Sequence, residues 1–290
     1  MKRLRNLLLF FLITLTLALS GLSVVFGLQS SYDLMHPVRV PCCEMPEYTA
    51  SPLEEVAFET SDGLTLHGWY IPPQNGAVIL MLHGRGGNRS GVLSMIPPLT
   101  NHGYGVLALD LRGHGQSDGE NFAYSWRDVT GAADFLHQQP GVETIGGIGF
   151  SLGANVIVTG AAYSEHVTAV VGDGVGPAQW ADLPTPATPL DWLALPGDIA
   201  AHFALQRYEP GILSIHEALR RISPRPVLLI TGDHPSNEYE LRVNQRLMAD
   251  APESVTLWVA PGAAHVGAQS SYPQDYEARV LAFFDTHLLR

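Results

Sequence analysis

The stretch Ile145-Gly-Gly-Ile-Gly-Phe-Ser151-Leu-Gly-Ala-Asn-Val-Ile157 decides how the rest of the chain is read. Its first six residues form an apolar run without polar alternation, which suits a strand buried on both faces of a parallel sheet. The run ends in Gly149-Phe-Ser-Leu-Gly153 and passes directly into a helical stretch, 151–163. A sharp strand-to-helix turn that exposes a serine needs small residues two before and two after it, because the turn leaves no room for Cβ atoms. Gly149 and Gly153 meet that demand. The expectation is a Ser151 hydroxyl held out at a helix N-terminus; a capping serine in an ordinary glycine-rich turn is the blander alternative.

Outward from that turn the pattern repeats. Apolar runs at 77–82, 105–109, 167–171, 227–231 and 255–259 alternate with helical stretches at 124–139, 238–249 and 274–289. Upstream, residues 55–60 and 64–71 flank Ser61-Asp62-Gly63 with period-two alternation, which is a hairpin signal. Together these predict an α/β architecture: a mostly parallel eight-stranded sheet with helices on both faces, entered through an N-terminal antiparallel hairpin. The domain is expected over 54–290. Residues 177–221, rich in Pro, Trp and Leu, interrupt the rhythm and predict a small cap insertion over one end of the sheet.

The N-terminus is of another kind. Leu7 to Leu28 is free of charge and follows Lys2, Arg3 and Arg5. About 20 apolar residues span a bilayer, and basic flanks stay on the cytoplasmic side. Residues 1–28 are therefore expected to be a single-pass anchor that puts the rest outside the cytoplasm. A cleaved signal segment competes, because Ala18-Leu19-Ser20 offers a small-x-small site. Residues 29–53, Pro-rich and aperiodic towards their end, are expected to link the anchor to the domain. The adjacent Cys42 and Cys43 are expected to be incidental thiols or an intermolecular contact, since neighbouring cysteines rarely close a ring.

Composition removes whole classes. The chain of 290 residues carries a formal charge of −12, and three of its 16 basic side chains lie in the first five positions. The body is thus more acidic still, which argues against a nucleic-acid partner. Lys2 is the single lysine. A P-loop lysine, a Schiff-base lysine and a Ser–Lys pair are excluded, since each needs an amine in the folded body. No pair of histidines has metal-ligand spacing, and neither metal nor cofactor is expected.

The remaining chemistry falls at strand ends. His83-Gly-Arg-Gly-Gly-Asn88 follows the run 77–82, where backbone N–H groups can hold an oxyanion; those of Arg85 and Leu152 are the candidates. Pro261-Gly-Ala-Ala-His265 follows the last run, so His265 is the histidine placed to act as a base at the serine's edge of the sheet. His83 and His114 sit in glycine-rich turns and read as turn-stabilising. An acid to orient His265 should come from the loop after 227–231. There Glu238 and Asp233 both qualify, Glu238 slightly ahead, with Asp173 one loop earlier as a third option.

These motifs, with Asp110-Leu-Arg-Gly-His-Gly-Gln-Ser-Asp118, resemble the serine hydrolases of the α/β-hydrolase superfamily over nearly all of 54–290. Their order along the chain is the family's order. The resemblance implies Ser151 as nucleophile, His265 as base, Arg85 and Leu152 as oxyanion donors, and residues 110–117 as a structural loop. It also marks one departure: the family's usual acid position, three residues after the glycine ending the seventh strand, holds Pro235. The expected activity is hydrolysis of a small-molecule carboxylic ester, with an apolar acyl chain suited to the cap. A peptidase or thioesterase of the same fold, or an inactive envelope-anchored binding module, are the competing readings.

Overall fold

A computed structural model describes residues 2–43, 53–120 and 125–289. It opens with one long helix, α1 (Lys2–Met35), whose apolar side chains are almost all exposed. The helix does not stop at Leu28, where the linker was expected to begin. Gln29 to Met35 continue it, because nothing there forbids helix until Pro37, and Gln29 supports Asp33 one turn on (2.8 Å). Positions 44–52 of the expected linker lie outside the described residues, as does Tyr124. Cys42 and Cys43, expected as separate thiols, are joined to each other.

The domain alternates strands and helices in this order: β1 (Glu54–Glu59), β2 (Thr65–Ile71), β3 (Ala77–Leu82), α2 (Ile96–Asn101), β4 (Gly105–Leu109), α3 (Trp126–His137), β5 (Thr144–Phe150), α4 (Leu152–Ala161) and β6 (Val167–Asp173). The second half runs α5 (Pro189–Tyr208), α6 (Ile215–Ile222), β7 (Val227–Gly232), α7 (Glu238–Ala249), β8 (Val255–Ala260), α8 (Ala268–Ser271) and α9 (Pro273–Leu288). Eight strands form one sheet in the order β1-β2-β4-β3-β5-β6-β7-β8. The first two junctions are antiparallel and the rest parallel.

Period-two packing explains why the apolar runs became strands. β3 sends Val78, Leu80 and Leu82 into a core shared with α3, α4, α6 and α7, and Ala77, Ile79 and Met81 into a second core under α2 and α9. Both faces are covered, so no polar residue is tolerated on the strand. Each such side chain contributes roughly 1.5–3 kcal/mol on burial.

The connection from β6 to β7, where residues 177–221 were expected to form a cap, contains α5 and α6. α6 is a core helix: Ile215, Ala218, Leu219 and Ile222 are buried and pack towards α4. The cap proper is therefore the segment up to α5. Thr188 starts α5 with a reciprocal cap: its hydroxyl accepts from Asp191 N–H (3.2 Å), and the Asp191 carboxylate accepts from Thr188 N–H (3.2 Å). Arg242 of α7 pairs with the same carboxylate at 2.7 Å, fastening the cap to the body.

Candidate active site

Parallel strands bring their C-terminal ends to one edge, and the loops leaving that edge carry every group that matters here. β5 leads directly into Ser151, whose φ of 53° and ψ of −113° lie where L-residues are strained. Two close approaches force the flanking glycines. A Cβ on Gly149 would sit 2.1 Å from the Gly153 carbonyl oxygen, and one on Gly153 would sit 2.4 Å from that of Leu82. The Ser151 N–H donates to the Asp173 carbonyl on β6 (2.7 Å), which holds the turn against the sheet. The hydroxyl consequently stands at the N-terminus of α4, where the helix dipole favours negative charge.

His265 comes from the loop after β8 and meets Ser151: the serine Oγ–H donates to His265 Nε2 at 2.8 Å. Val266, the next residue, has φ 52°, so strained backbone flanks this contact on both sides. His265 Nδ1–H donates to Glu240 Oε2. Neither Glu238 nor Asp233 occupies that place. Glu238 is exposed at the start of α7, and Asp233 is exposed with its Oδ1 accepting from Gly262 N–H, a tie between the two loops. Glu240, buried on α7, has its other oxygen fixed by Thr231 Oγ1–H (2.7 Å) and Asn237 Nδ2–H (3.1 Å).

The reason that Glu240, and not Glu238 or Asp233, reaches His265 is local geometry. Pro235–Asn237 form a short 3-10 turn, after which α7 begins at Glu238. The carboxylate that faces inward is therefore on the first turn of the helix and not in the loop. The signal that could have found it was the helical register of 238–249, which puts Glu240, Val243, Asn244 and Leu247 on one face.

Asp173, the third option, also ends at this edge, but its carboxyl accepts from Tyr276 OH (3.0 Å) and does not reach the imidazole's hydrogen bonds. Burial, with the nearby Glu240 charge, pushes it up to about 7. His265 is held above the ordinary histidine range, chiefly by its hydrogen bond to Glu240 and against the effect of its own burial.

The Gly-rich turn after β3 lies across from the serine. Arg85 and Leu152 line the same cavity as Ser151 and His265. Gly86 N–H donates to His114 Nε2 (3.3 Å), and Leu111 N–H to His83 Nε2 (3.2 Å). The two rings pack edge to face at 5.0 Å. Burial holds His83 down to about 3, so it is neutral and acts as a hydrogen-bonded brace for the turn. The 110–117 loop is equally built-in: Asp110 pairs with buried Arg89 (3.0 Å) and accepts from Arg89 N–H (2.6 Å). Among the described residues no group of three metal-ligating side chains converges.

The cavity in front of Ser151 has a volume of about 690 Å³. Its far walls come from the cap, through Leu183, Leu190, Leu195 and Leu205, and from Ser30 and Ser31 near the end of α1. A hydroxyl, an imidazole and a carboxylate in series can activate an oxygen nucleophile towards a carbonyl.

Comparisons with known proteins agree with this architecture. The family model described as alpha/beta hydrolase fold matches residues 77–209. An uncharacterised protein of Mycobacterium tuberculosis is 30% identical over 219 residues, which is 73% of this chain and 72% of the relative. The uncharacterised protein YfhR of Salmonella typhimurium is 27% identical over 263 residues, covering 83% and 84% of the two chains. In structure, the esterase Pf2001 of Pyrococcus furiosus superposes with a TM-score of 0.70 at 23% identity, over 88% of this chain and 98% of that one. With the sheet order, the strained serine turn and these relatives in hand, the chain belongs to the α/β-hydrolase fold family.

Proposed function

We propose that this protein is a serine hydrolase of carboxylic esters, with Ser151 as nucleophile, His265 as general base and Glu240 as the acid that orients it. The observation carrying this reading is the unbroken hydrogen-bonded series from Ser151 Oγ through His265 to Glu240 at the wall of an apolar cavity. His265 Nε2 takes the hydroxyl proton as Ser151 Oγ bonds to the ester carbonyl carbon, and the carbonyl oxygen becomes an oxyanion facing the N–H groups of Arg85 and Leu152. The ester C–O bond then breaks, and the leaving oxygen receives that proton from His265. Water repeats the sequence, releasing a carboxylic acid and restoring the Ser151 hydroxyl.

Glu240 also answers the Pro235 departure. The acid is supplied five residues later, which disfavours an inactive binding module. α1, with mean hydropathy 2.4 over its most apolar window, serves as a bilayer anchor in this reading.

The test is labelling of the full-length protein by a fluorophosphonate. Wild type takes up the probe and Ser151→Ala does not, with p-nitrophenyl butyrate turnover falling by about 10⁵–10⁶-fold in the variant. A folded wild type that remains unlabelled and inactive would overturn the proposal.

A further inference from the structure

α1 and α5 cross at unusually short range. A Cβ on Gly27 would lie 2.0 Å from the Gly197 carbonyl oxygen, and one on Gly197 would lie 2.3 Å from that of Ser23. Ser23 Oγ accepts from Gly197 N–H (3.1 Å) and donates to the Ala194 carbonyl (3.0 Å). Ser23, Gly27 and Ser31 recur every four residues on α1, and small side chains with interhelical hydrogen bonds are how helices pack in lipid. The uncharged run of 22 residues from Leu7 to Leu28 is about 33 Å long, close to the hydrocarbon thickness, so this crossing falls at the bilayer boundary. Beside it Leu190, Trp192 and Phe203 of α5 are exposed.

The crossing is not filled throughout. A second cavity of about 360 Å³ lies between α1 and α5, reaching Leu19, Leu22 and Phe26 on the anchor and Leu193 on the cap. It shares Ser30, Leu190, Ala194, Asp198 and Ala201 with the cavity that holds Ser151 and His265. The shared wall is small or apolar apart from Ser30 and Asp198, whose carboxyl is raised towards its neutral form by burial.

We propose that the seam between α1 and α5 is a lateral channel that takes the acyl chain of a bilayer-resident lipid ester and delivers its carbonyl to Ser151. This inference rests on the serine-hydrolase reading and names its substrate class. The channel begins on the lipid-facing part of the anchor and ends at the nucleophile, so a long acyl chain need never be wholly exposed to water. Burial of each further methylene strengthens binding, and selectivity should therefore grow with chain length.

The experiment uses the full chain in phosphatidylcholine vesicles and reads the ratio of kcat/KM for p-nitrophenyl palmitate over p-nitrophenyl butyrate. Leu193→Trp and Leu22→Trp fill the second cavity from opposite walls, away from Ser151 and His265. Each should lower the palmitate-to-butyrate ratio at least tenfold while Ser151 still takes up a fluorophosphonate. If Leu193→Trp fails to label because the cap no longer folds, Leu22→Trp carries the test alone, since its side chain stands on the exposed anchor. A ratio that stays within threefold of wild type in a labelling-competent variant overturns the channel, as does a wild type that cleaves butyrate and not palmitate. A wild type that neither labels nor cleaves butyrate defeats the hydrolase reading instead.

Discussion

Glu240 stands two residues beyond Glu238, which is about 200° around a helix. If Glu238 meets solvent, Glu240 must face the sheet, and its two oxygens then reach Thr231 and His265 at once. Exchange to Gln removes the charge that holds the imidazolium and fixes its tautomer. Glu240→Gln should lower kcat/KM by about 10³–10⁴-fold, whereas Glu238→Gln should stay within about threefold of wild type. The pH profile gives an independent sign. In the proposed mechanism His265 works as a neutral base, so the acid limb of kcat/KM is expected to follow its pKa in the free enzyme. That pKa is raised, first by the Glu240 hydrogen bond, which puts the wild-type limb above pH 6.5 and moves it downward in Glu240→Gln. Measuring the fluorophosphonate labelling rate against pH in both proteins checks this, and limbs that coincide would refute it. Ser151 and His265 were readable in the chain because a glycine frame and a last-strand loop place them almost without choice. The carboxylate that meets His265 was not, because its position depends on where a 3-10 turn ends and α7 begins, and that is decided by the burial of Asn237 and Glu240 against β7.

The strands were legible for a related reason. A run such as 77–82 is apolar at every position because both faces of β3 are covered. Helix contacts carry less information in one segment alone. The Ser23, Gly27 and Ser31 spacing on α1 acquires meaning only beside Gly197, which lies in a stretch that reads as cap. A constraint that bears on the site itself is at the serine turn, where Gly153 of α4 lies against the end of β3. Gly153→Ala would press a Cβ onto the Leu82 and His83 carbonyl oxygens, at 2.4 and 2.7 Å, and neither is a flexible side chain that could yield. The strand and helix must separate. Overpacking of this kind costs about 1–3 kcal/mol, equivalent to roughly 2–4 °C of Tm per kcal/mol in a domain of this size. Thermal unfolding should show that fall, together with slower labelling of Ser151 as its hydroxyl shifts from His265. An unchanged Tm with unchanged labelling would mean that the two backbones are not held this close.

At the scale of the whole molecule the sheet edge that carries Ser151, helix α5 and helix α1 form one stack, since the end of α1 lines the cavity that contains Ser151. Ser31 and Met35 are buried against the body, so the last turns of α1 are part of the fold while the preceding turns are exposed and apolar. A secretory h-region of 7–15 residues would need neither that length nor that docking. The anchor is therefore expected to be retained, and the basic residues Lys2, Arg3 and Arg5 to hold the N-terminus in the cytoplasm with the body outside. Expressed in a bacterial inner membrane, the protein should stay in the membrane pellet after alkaline carbonate washing. Its intact mass should match the full chain of 31.4 kDa. Protease added to spheroplasts should digest the body without lysis. A soluble chain starting at Gly21 would show cleavage after Ser20 and overturn retention, and a body protected until lysis would reverse the orientation.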